Sequence, residues 1–129
     1  MIHFVVVSHN KALAEETIKL ASIMKYSDFK IINASGLKDS SEYGTDSTII
    51  MEAINSIEPS ENVLVFCELG SSLMNTQMAI EMCGRNNVHL VNGPFVESLV
   101  VATASNNPDK KLQDILEEIK QTKEFEKTL

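Results

Sequence analysis

The chain has 129 residues, of which 43% are hydrophobic and 22% are charged, and its formal net charge is -7. This size and composition predict one soluble globular domain, and the negative charge argues against nucleic acid or an anionic membrane as a partner, since both attract basic surfaces. The apolar run after Met1 is too short for a signal peptide, and no stretch approaches the length of a membrane span. Two cysteines without metal-type spacing are expected to be free thiols, which favours the cytoplasm.

The first predicted element is a buried strand over residues 4–7, which are all apolar. Ser8 and Asn10 are both common helix N-cap types, and a helical pattern follows them. We therefore expect His9 in a loop at the carboxyl end of this strand, where open α/β sheets bind ligands. A helix N-terminus favours anions, so a histidine here could take up a phosphoryl group as a nucleophile. A capping or hydrogen-bonding role would also explain a single histidine at this position.

Strands and helices alternate along the rest of the chain. Further strands are predicted at residues 29–34, 62–67 and 88–91, each preceded and followed by a helical pattern, and a last helix follows the break at residues 106–109. Apolar spacing and the gap-filling character of methionine predict core positions in the first and third helices. These positions are Leu13, Leu20, Ala21, Met24, Met74, Met78 and Met82.

The order of elements predicts an α/β protein with a parallel sheet and helices on both faces. We expect one domain over residues 1–122 and a polar tail, residues 123–129, that frays. The loops after the first, third and fourth strands meet at one edge of such a sheet. They carry the candidate site residues His9, Glu68, Ser71, Ser72, Asn92, Gly93 and Pro94.

His9 can attack phosphorus only through an unprotonated ring nitrogen. An acidic group on the other nitrogen would fix the tautomer and stabilise the positive ring, and Glu68 is the candidate by loop position. A solvated loop carboxylate would also explain Glu68. Ser71 and Ser72, with backbone amides at a helix start, could hold phosphoryl oxygens or act as ordinary caps. Thr45 could close over the site from the long polar loop at residues 35–44, or cap the second helix, as Asp46 also could.

Other site types find no support in the sequence. There is no Gly-x-x-x-x-Gly-Lys loop for nucleotide and no Gly-x-Ser-x-Gly elbow for hydrolysis. No cluster of histidine, cysteine and carboxylate suggests a metal, so we expect neither a metal nor a cofactor. His3 starts a strand and His89 lies inside one, and both are expected to be structural.

Several blocks of sequence resemble, in order and spacing, the phosphotransfer subunit of the phosphoenolpyruvate-dependent dihydroxyacetone kinase. The blocks are Val5-Val6-Val7-Ser8-His9, Leu13-Ala14-Glu15, Gly44-Thr45, Leu69-Gly70-Ser71 with Met74-Asn75, Ala79-Ile80-Glu81, and Pro94-Phe95-Val96-Glu97. The resemblance runs from residue 2 to about residue 120. It implies the fold of the mannose-type IIA component of the sugar phosphotransferase system, which is a three-layer α/β/α sandwich with a central four-stranded parallel sheet, and a homodimer.

The resemblance also implies a function. His9 would take a phosphoryl group from the phosphocarrier protein HPr and pass it to ADP on the nucleotide-binding subunit of the kinase. Glu68 would orient the ring, and Thr45, Ser71 and Ser72 would bind phosphoryl oxygens. Two alternatives stay open: a mannose-type IIA component of a sugar permease, and a non-catalytic regulator. The regulator is favoured by departures from the family, which usually has Asp at Glu68 and Ser at Asp46.

Overall fold

The structure, a computed structural model, describes residues 1–39 and 41–128. Ser40 and Leu129, which fall in the predicted loop and the predicted tail, lie outside the described residues. The elements in chain order are β1 (Ile2–Val7), α1 (Lys11–Ser22), β2 (Ile31–Asn33), α2 (Ser47–Asn55), β3 (Asn62–Cys67), α3 (Ser71–Cys83), β4 (Val88–Leu90), α4 (Phe95–Ser105), α5 (Leu112–Gln121) and a short 3-10 turn (Thr122–Glu124).

The four strands form one parallel sheet in the order β2-β1-β3-β4. β1 and β3 are the central strands and pair along their whole length, from Ile2 opposite Asn62 to Val7 opposite Cys67. All six residues of β1 are buried, as expected for a strand covered on both faces. Because β1 and β3 end side by side, the segments that follow them begin as neighbours at the carboxyl edge of the sheet.

Helices cover both faces of the sheet, which confirms the predicted three-layer α/β/α sandwich. Phe4 and Val6 point into one core, with side chains of α1, α4 and α5. Val5 and Val7 point into the other core, with side chains of α2 and α3. Phe4 also packs against the rings of Phe29 and Phe66 at centroid distances of 5.0 and 5.1 Å.

The predicted core role of the methionine row in α3 is wrong. Met74, Met78 and Met82 are 70%, 52% and 48% exposed. The helix instead buries a row of small side chains, namely Ser72, Thr76 and Ala79. Small residues let a helix approach the sheet closely, so the longer side chains of α3 lie on its outer face.

The first helix shows the same arrangement. Leu13, Leu20 and Met24, three of the four positions predicted to be buried around α1, are exposed, and only Ala21 lies in the core. The buried residues of α1 are Ala14, Thr17 and Ala21, which again are small. Apolar spacing alone therefore points to the wrong face of both helices.

The last described residues pack on α4 and α5. Thr122 is buried, and its hydroxyl donates to the carbonyl of Ile119 at 2.6 Å. Beyond it, the ammonium of Lys127 lies 2.6 Å from the carboxylate of Glu97. In the part of the chain that the structure describes, no helix is both long and apolar enough to cross a membrane.

Candidate functional site

His9 lies in the tight connection between β1 and α1. The Asn10 side chain caps α1 by accepting hydrogen bonds from the backbone N–H groups of Ala12 and Leu13, at 3.0 and 3.2 Å. The backbone N–H of Asn10 in turn donates to the Ser8 hydroxyl at 3.0 Å. These local bonds fix the backbone on both sides of His9, as the two predicted cap types suggest.

The backbone of His9 is also tied to the loop that follows β2. The N–H of Ser8 donates to the Ser35 hydroxyl at 2.8 Å, and the N–H of Gly36 donates to the Ser8 carbonyl at 3.2 Å. The N–H of Gly44 donates to the carbonyl of His9 at 3.0 Å. The two ends of the predicted 35–44 loop are therefore anchored next to the histidine.

Glu68, the first residue after β3, binds the His9 ring and backbone together. Its Oε1 lies 2.6 Å from His9 Nδ1 and also accepts the backbone N–H of His9. Its other oxygen, Oε2, accepts the Ser8 hydroxyl at 2.8 Å. Burial raises the pKa of Glu68, but the hydrogen bonds from the His9 backbone, the Ser8 hydroxyl and the His9 ring together lower it below its ordinary value of 4.5.

The ionised carboxylate determines the state of the histidine ring. A carboxylate can only accept hydrogen bonds, so Nδ1 carries the proton and the neutral ring has its lone pair on Nε2. Nε2 lies 2.6 Å from the hydroxyl of Ser71, the first residue of α3, which is exposed. His9 and Glu68 retain side-chain exposures of 26% and 14%, so the ring of His9 is accessible from the protein surface.

The start of α3 faces the histidine. Gly70 precedes Ser71 with a φ of 63°, which favours glycine, and a Cβ built on it would lie 3.9 Å from His9 Cε1. No side chain in the described part of the chain caps this helix. Its first backbone N–H groups are therefore available to an anion, and the positive end of the helix dipole adds to their attraction.

Thr45 and Asp46 follow Gly44 and have different roles. Asp46 is the N-cap of α2, and its carboxylate accepts the N–H of Thr48 at 2.8 Å. Asp46 thus takes the capping role that the sequence allowed for it. The Thr45 hydroxyl instead accepts from the side-chain amide of Asn75 at 2.5 Å.

Ser72 does not bring its hydroxyl to the site. It is fully buried, and its hydroxyl donates to the carbonyl of Leu69 at 2.6 Å. Ser72 follows Ser71 in the helix, and the helical rotation between them turns the Ser72 side chain toward the sheet. The prediction that the Ser72 hydroxyl binds a phosphoryl oxygen is therefore wrong, and Ser72 does not cap the helix either, because its hydroxyl donates to a carbonyl. The third predicted loop is also not part of this cluster, since Asn92 lines a separate cavity of about 320 Å³ beside α5.

A cavity of about 220 Å³ opens beside the ring of His9. Its lining includes Lys11 at the start of α1 and Tyr43 from the loop after β2.

Arg85, the only arginine of the sequence, lies elsewhere and donates to the carbonyls of Ile54, Ile57, Glu58 and Glu61. Among residues 1–39 and 41–128, no group of three or more histidine, cysteine or acidic side chains is placed to hold a metal ion.

Comparison with known proteins places this chain in a family. Residues 3–119 match the family described as PTS system fructose IIA component, so the chain belongs to that family. A crystal structure of a protein of unknown function has the same fold, with a TM-score of 0.83, 25% sequence identity and 93% of each chain covered.

The named relatives are more specific. The chain is 33% identical over 126 residues to a protein of Providencia stuartii and 37% identical over 110 residues to one of Escherichia coli. Both are named phosphoryl donor subunit DhaM of the PEP-dependent dihydroxyacetone kinase, which confirms the resemblance noted in the sequence. The matches cover 94% and 81% of this chain but 26% and 23% of those proteins, so the chain spans about a quarter of their length.

Two contacts of the candidate site were not predicted from the sequence. The bond from Ser8 to Glu68 joins residues 60 positions apart, and the bond from Asn75 to Thr45 joins residues 30 positions apart. Ser8 appeared only as a cap candidate and Asn75 only as part of a motif. The spacing of Asn75 four residues after Ser71 was the available signal, because it places both on one side of α3.

Proposed function

We propose that the chain is a phosphohistidine carrier of the phosphoenolpyruvate-dependent dihydroxyacetone kinase system. His9 takes a phosphoryl group from HPr and passes it to ADP on the nucleotide-binding subunit, and the ATP formed there phosphorylates dihydroxyacetone. One observation carries this proposal. The His9 ring is held by Glu68 through Nδ1, while Nε2 points to an exposed hydroxyl at the start of a helix.

The first transfer begins when the lone pair of His9 Nε2 attacks the phosphorus of the donor's phosphohistidine. The new Nε2–P bond forms as the donor N–P bond breaks, and the bonding pair returns to the donor nitrogen. The His9 ring becomes positively charged, and the carboxylate of Glu68 at 2.6 Å from Nδ1 stabilises that charge. In the second transfer an oxygen of the terminal ADP phosphate attacks, and Nε2 recovers its lone pair.

The phosphoryl oxygens need donors in both steps. The hydroxyl of Ser71 now lies against Nε2 and can rotate to a phosphoryl oxygen once the nitrogen is occupied. The free backbone N–H groups at the start of α3 and the hydroxyl of Thr45 complete the set. Lys11 lines the same cavity as His9 and brings a positive charge to it. The proposal includes Glu68 as the orienting residue and requires no cofactor.

Partners and location belong to the same proposal. HPr, the nucleotide-binding subunit and a second copy of this chain are the partners that the family resemblance implies. The net charge of -7 suits a partner with a basic face, because opposite charges speed encounter. Exposed apolar side chains on α3, such as Met74 and Met78, are available for contact with a partner. Free cysteines at positions 67 and 83 support a reducing cytoplasm.

A second acceptor is favoured by one observation: the family is described as a fructose IIA component. A sugar permease could then receive the phosphoryl group from His9 instead of ADP. The two departures that favoured a non-catalytic regulator are compatible with phosphoryl transfer, because Glu68 reaches Nδ1 despite its longer side chain and Asp46 is engaged as a helix cap.

The test is phosphorylation by enzyme I, HPr and phosphoenolpyruvate, read by intact mass on the native chain and on His9→Ala, with His89→Ala as the matched control. We expect one acid-labile phosphoryl group on the native chain and the control, and none on His9→Ala. Adding the nucleotide-binding subunit with ADP should then remove it and produce ATP. Absence of phosphate from the native, folded chain would contradict the carrier function, and retention of phosphate in the second step would point to the permease.

A further inference from the structure

Helix α3 contacts two separate parts of the site through residues one turn apart. Ser71 lies at 2.6 Å from His9 Nε2, and Asn75 donates to the Thr45 hydroxyl at 2.5 Å. The residue before Thr45, Gly44, donates its N–H to the carbonyl of His9 at 3.0 Å. Thr45 is therefore held to the His9 backbone through its neighbour Gly44 and to α3 through Asn75. Since α3 also contacts the His9 ring through Ser71, the three segments are joined to one another at the site.

The direction of the Asn75–Thr45 bond follows from a second contact. Asn75 Nδ2 also lies 3.4 Å from the Thr45 carbonyl, which can only accept. The NH₂ group of Asn75, and not its oxygen, must therefore face Thr45. An NH₂ group can only donate, so the Thr45 hydroxyl oxygen is the acceptor and its own proton points away from Asn75. In the described residues no group accepts that proton.

We propose that Asn75 is a positioning residue for phosphoryl transfer. By occupying the Thr45 oxygen as an acceptor, it keeps the Thr45 O–H turned outward as a donor to an oxygen of the phosphoryl group on His9. Asn75 does not touch the phosphoryl group itself. This inference rests on the proposed function, because it requires His9 to carry a phosphoryl group.

The Asn75–Thr45 hydrogen bond could also serve only to hold α3 against the segment before α2. The test must therefore separate this structural role from the positioning role. A double-mutant cycle does so with Thr45→Val, which keeps the shape and removes the hydroxyl, Asn75→Ala, and the two together. The readouts are the rate of phosphorylation by phospho-HPr, the hydrolysis rate of the isolated phosphohistidine, and its ³¹P chemical shift. Thermal unfolding shows whether each variant is folded.

Each single change should slow phosphorylation about ten- to a hundredfold, less than the 10²–10³-fold typical of deleting a whole oxyanion donor. The double variant should be no slower than Thr45→Val, because Asn75 acts only through that hydroxyl. Both single variants should move the ³¹P resonance in the same direction. Thr45→Ser, which keeps the donor, should recover most of the rate.

The outcomes against the proposal are distinct. If the loss of phosphorylation rate in the double variant equals the product of the two single losses, the positioning role is overturned. An unchanged rate in Asn75→Ala would overturn it as well. Both results would leave His9 as the carrier. A native chain that accepts no phosphate would overturn the proposed function and this inference with it. If Asn75→Ala does not fold, the nearly isosteric Asn75→Asp replaces it in both backgrounds, with Gln77→Glu, exposed on the same helix, as the control for added charge.

Discussion

Two histidines of this chain each bind a glutamate, one at each end of the central strand pair. At the amino edge, His3 Nε2 lies 2.8 Å from Glu61, and at the carboxyl edge His9 Nδ1 lies 2.6 Å from Glu68. The hydrogen bond from His3 lowers the pKa of Glu61. The pKa of Glu68 is lowered as well, because its hydrogen bonds outweigh the effect of burial. A histidine–carboxylate pair is thus common to both ends and does not by itself make a site.

The difference lies in the second ring nitrogen. His3 is 8% exposed, and its Nδ1 accepts the backbone N–H of Lys30 at 3.0 Å, so both nitrogens are occupied by fixed groups. Among the described residues, His9 Nε2 meets only the rotatable hydroxyl of Ser71. A phosphoryl carrier needs a nitrogen lone pair that can be freed for attack, next to a group that binds anions. Rotation of the Ser71 hydroxyl frees the lone pair of Nε2, and the uncapped start of α3 lies beside it. The predictions below test this contrast between the two ends.

The largest effect is expected from Glu68→Gln, which removes the charge opposite the His9 ring. Phosphorylation by phospho-HPr should slow about 10²–10³-fold, because the cationic ring of the phosphorylated state loses its counter-charge. Glu68→Asp should retain much of the rate, since Asp is usual in the family. The matched change at the other edge, Glu61→Gln, should leave the rate unchanged. Equal slowing by the two Gln variants in stopped-flow measurements would remove the distinction between the two pairs.

Arg85→Lys tests whether the amino edge is structural. Arg85 donates to four backbone carbonyls between the last turn of α2 and the start of β3, a geometry that a lysine cannot reproduce. The free energy of unfolding should fall by about 1–3 kcal/mol, as expected for partly buried carbonyls that lose their donor. Phosphorylation at 25 °C should proceed at the native rate. A chemical denaturation curve superimposable on the native one would show that this cluster contributes little.

His3→Gln should separate the two histidines in the same way. Loss of the acceptor for the Lys30 N–H should lower the free energy of unfolding by about 1–2 kcal/mol, measured by urea denaturation. The rate of phosphorylation should stay within about twofold of native, because a structural change far from the nucleophile does not alter its barrier. A strongly slowed but fully folded variant would mean that His3 takes part in the transfer.

Ser8→Ala should give the smallest effect. It should change how the free energy of unfolding depends on pH in the acid range. The folded state lowers the pKa of Glu68 below 4.5, so its stabilisation is complete above that pH and is lost as pH falls through the folded pKa. Without the Ser8 hydroxyl the folded pKa moves up, the stabilisation shrinks, and its loss is complete at a higher pH. Unfolding free energies between pH 3 and 7 should therefore vary less steeply than in the native chain. The exposed Ser60→Ala is the control, and identical profiles would contradict the role of Ser8.

Local signals explain what the sequence predicts well. A run of buried valines ended by Ser8, His9 and Asn10 places the histidine at a strand end, because strand and cap preferences act over a few residues. The strand Asn62–Cys67 is observed at its predicted limits. Since β1 and β3 are adjacent parallel strands, the contact between Glu68 and His9 follows from topology.

The predictions that failed, and the contacts that were not predicted, have long-range or steric causes. The exposed row of Met74, Met78 and Met82 could not be assigned from apolar spacing, because α3 carries apolar and small side chains around most of its circumference. Its contact face is decided by how closely the helix approaches the sheet. The burial of Ser72 is part of the same effect, and the partners of Ser8 and Asn75 depend on tertiary contacts that no local pattern reports.

The most direct test of the central claim is to identify the phosphorylated atom. The chain labelled with ¹⁵N-histidine and phosphorylated by phospho-HPr would be studied by ¹⁵N and ³¹P NMR. Phosphorus coupled to Nε2 of His9, with the proton kept on Nδ1 and the rings of His3 and His89 unmodified, is the predicted result. Phosphorus on Nδ1 of His9, or on another residue, would contradict the assignment of Glu68 as the group that holds the ring and of Nε2 as the nucleophile.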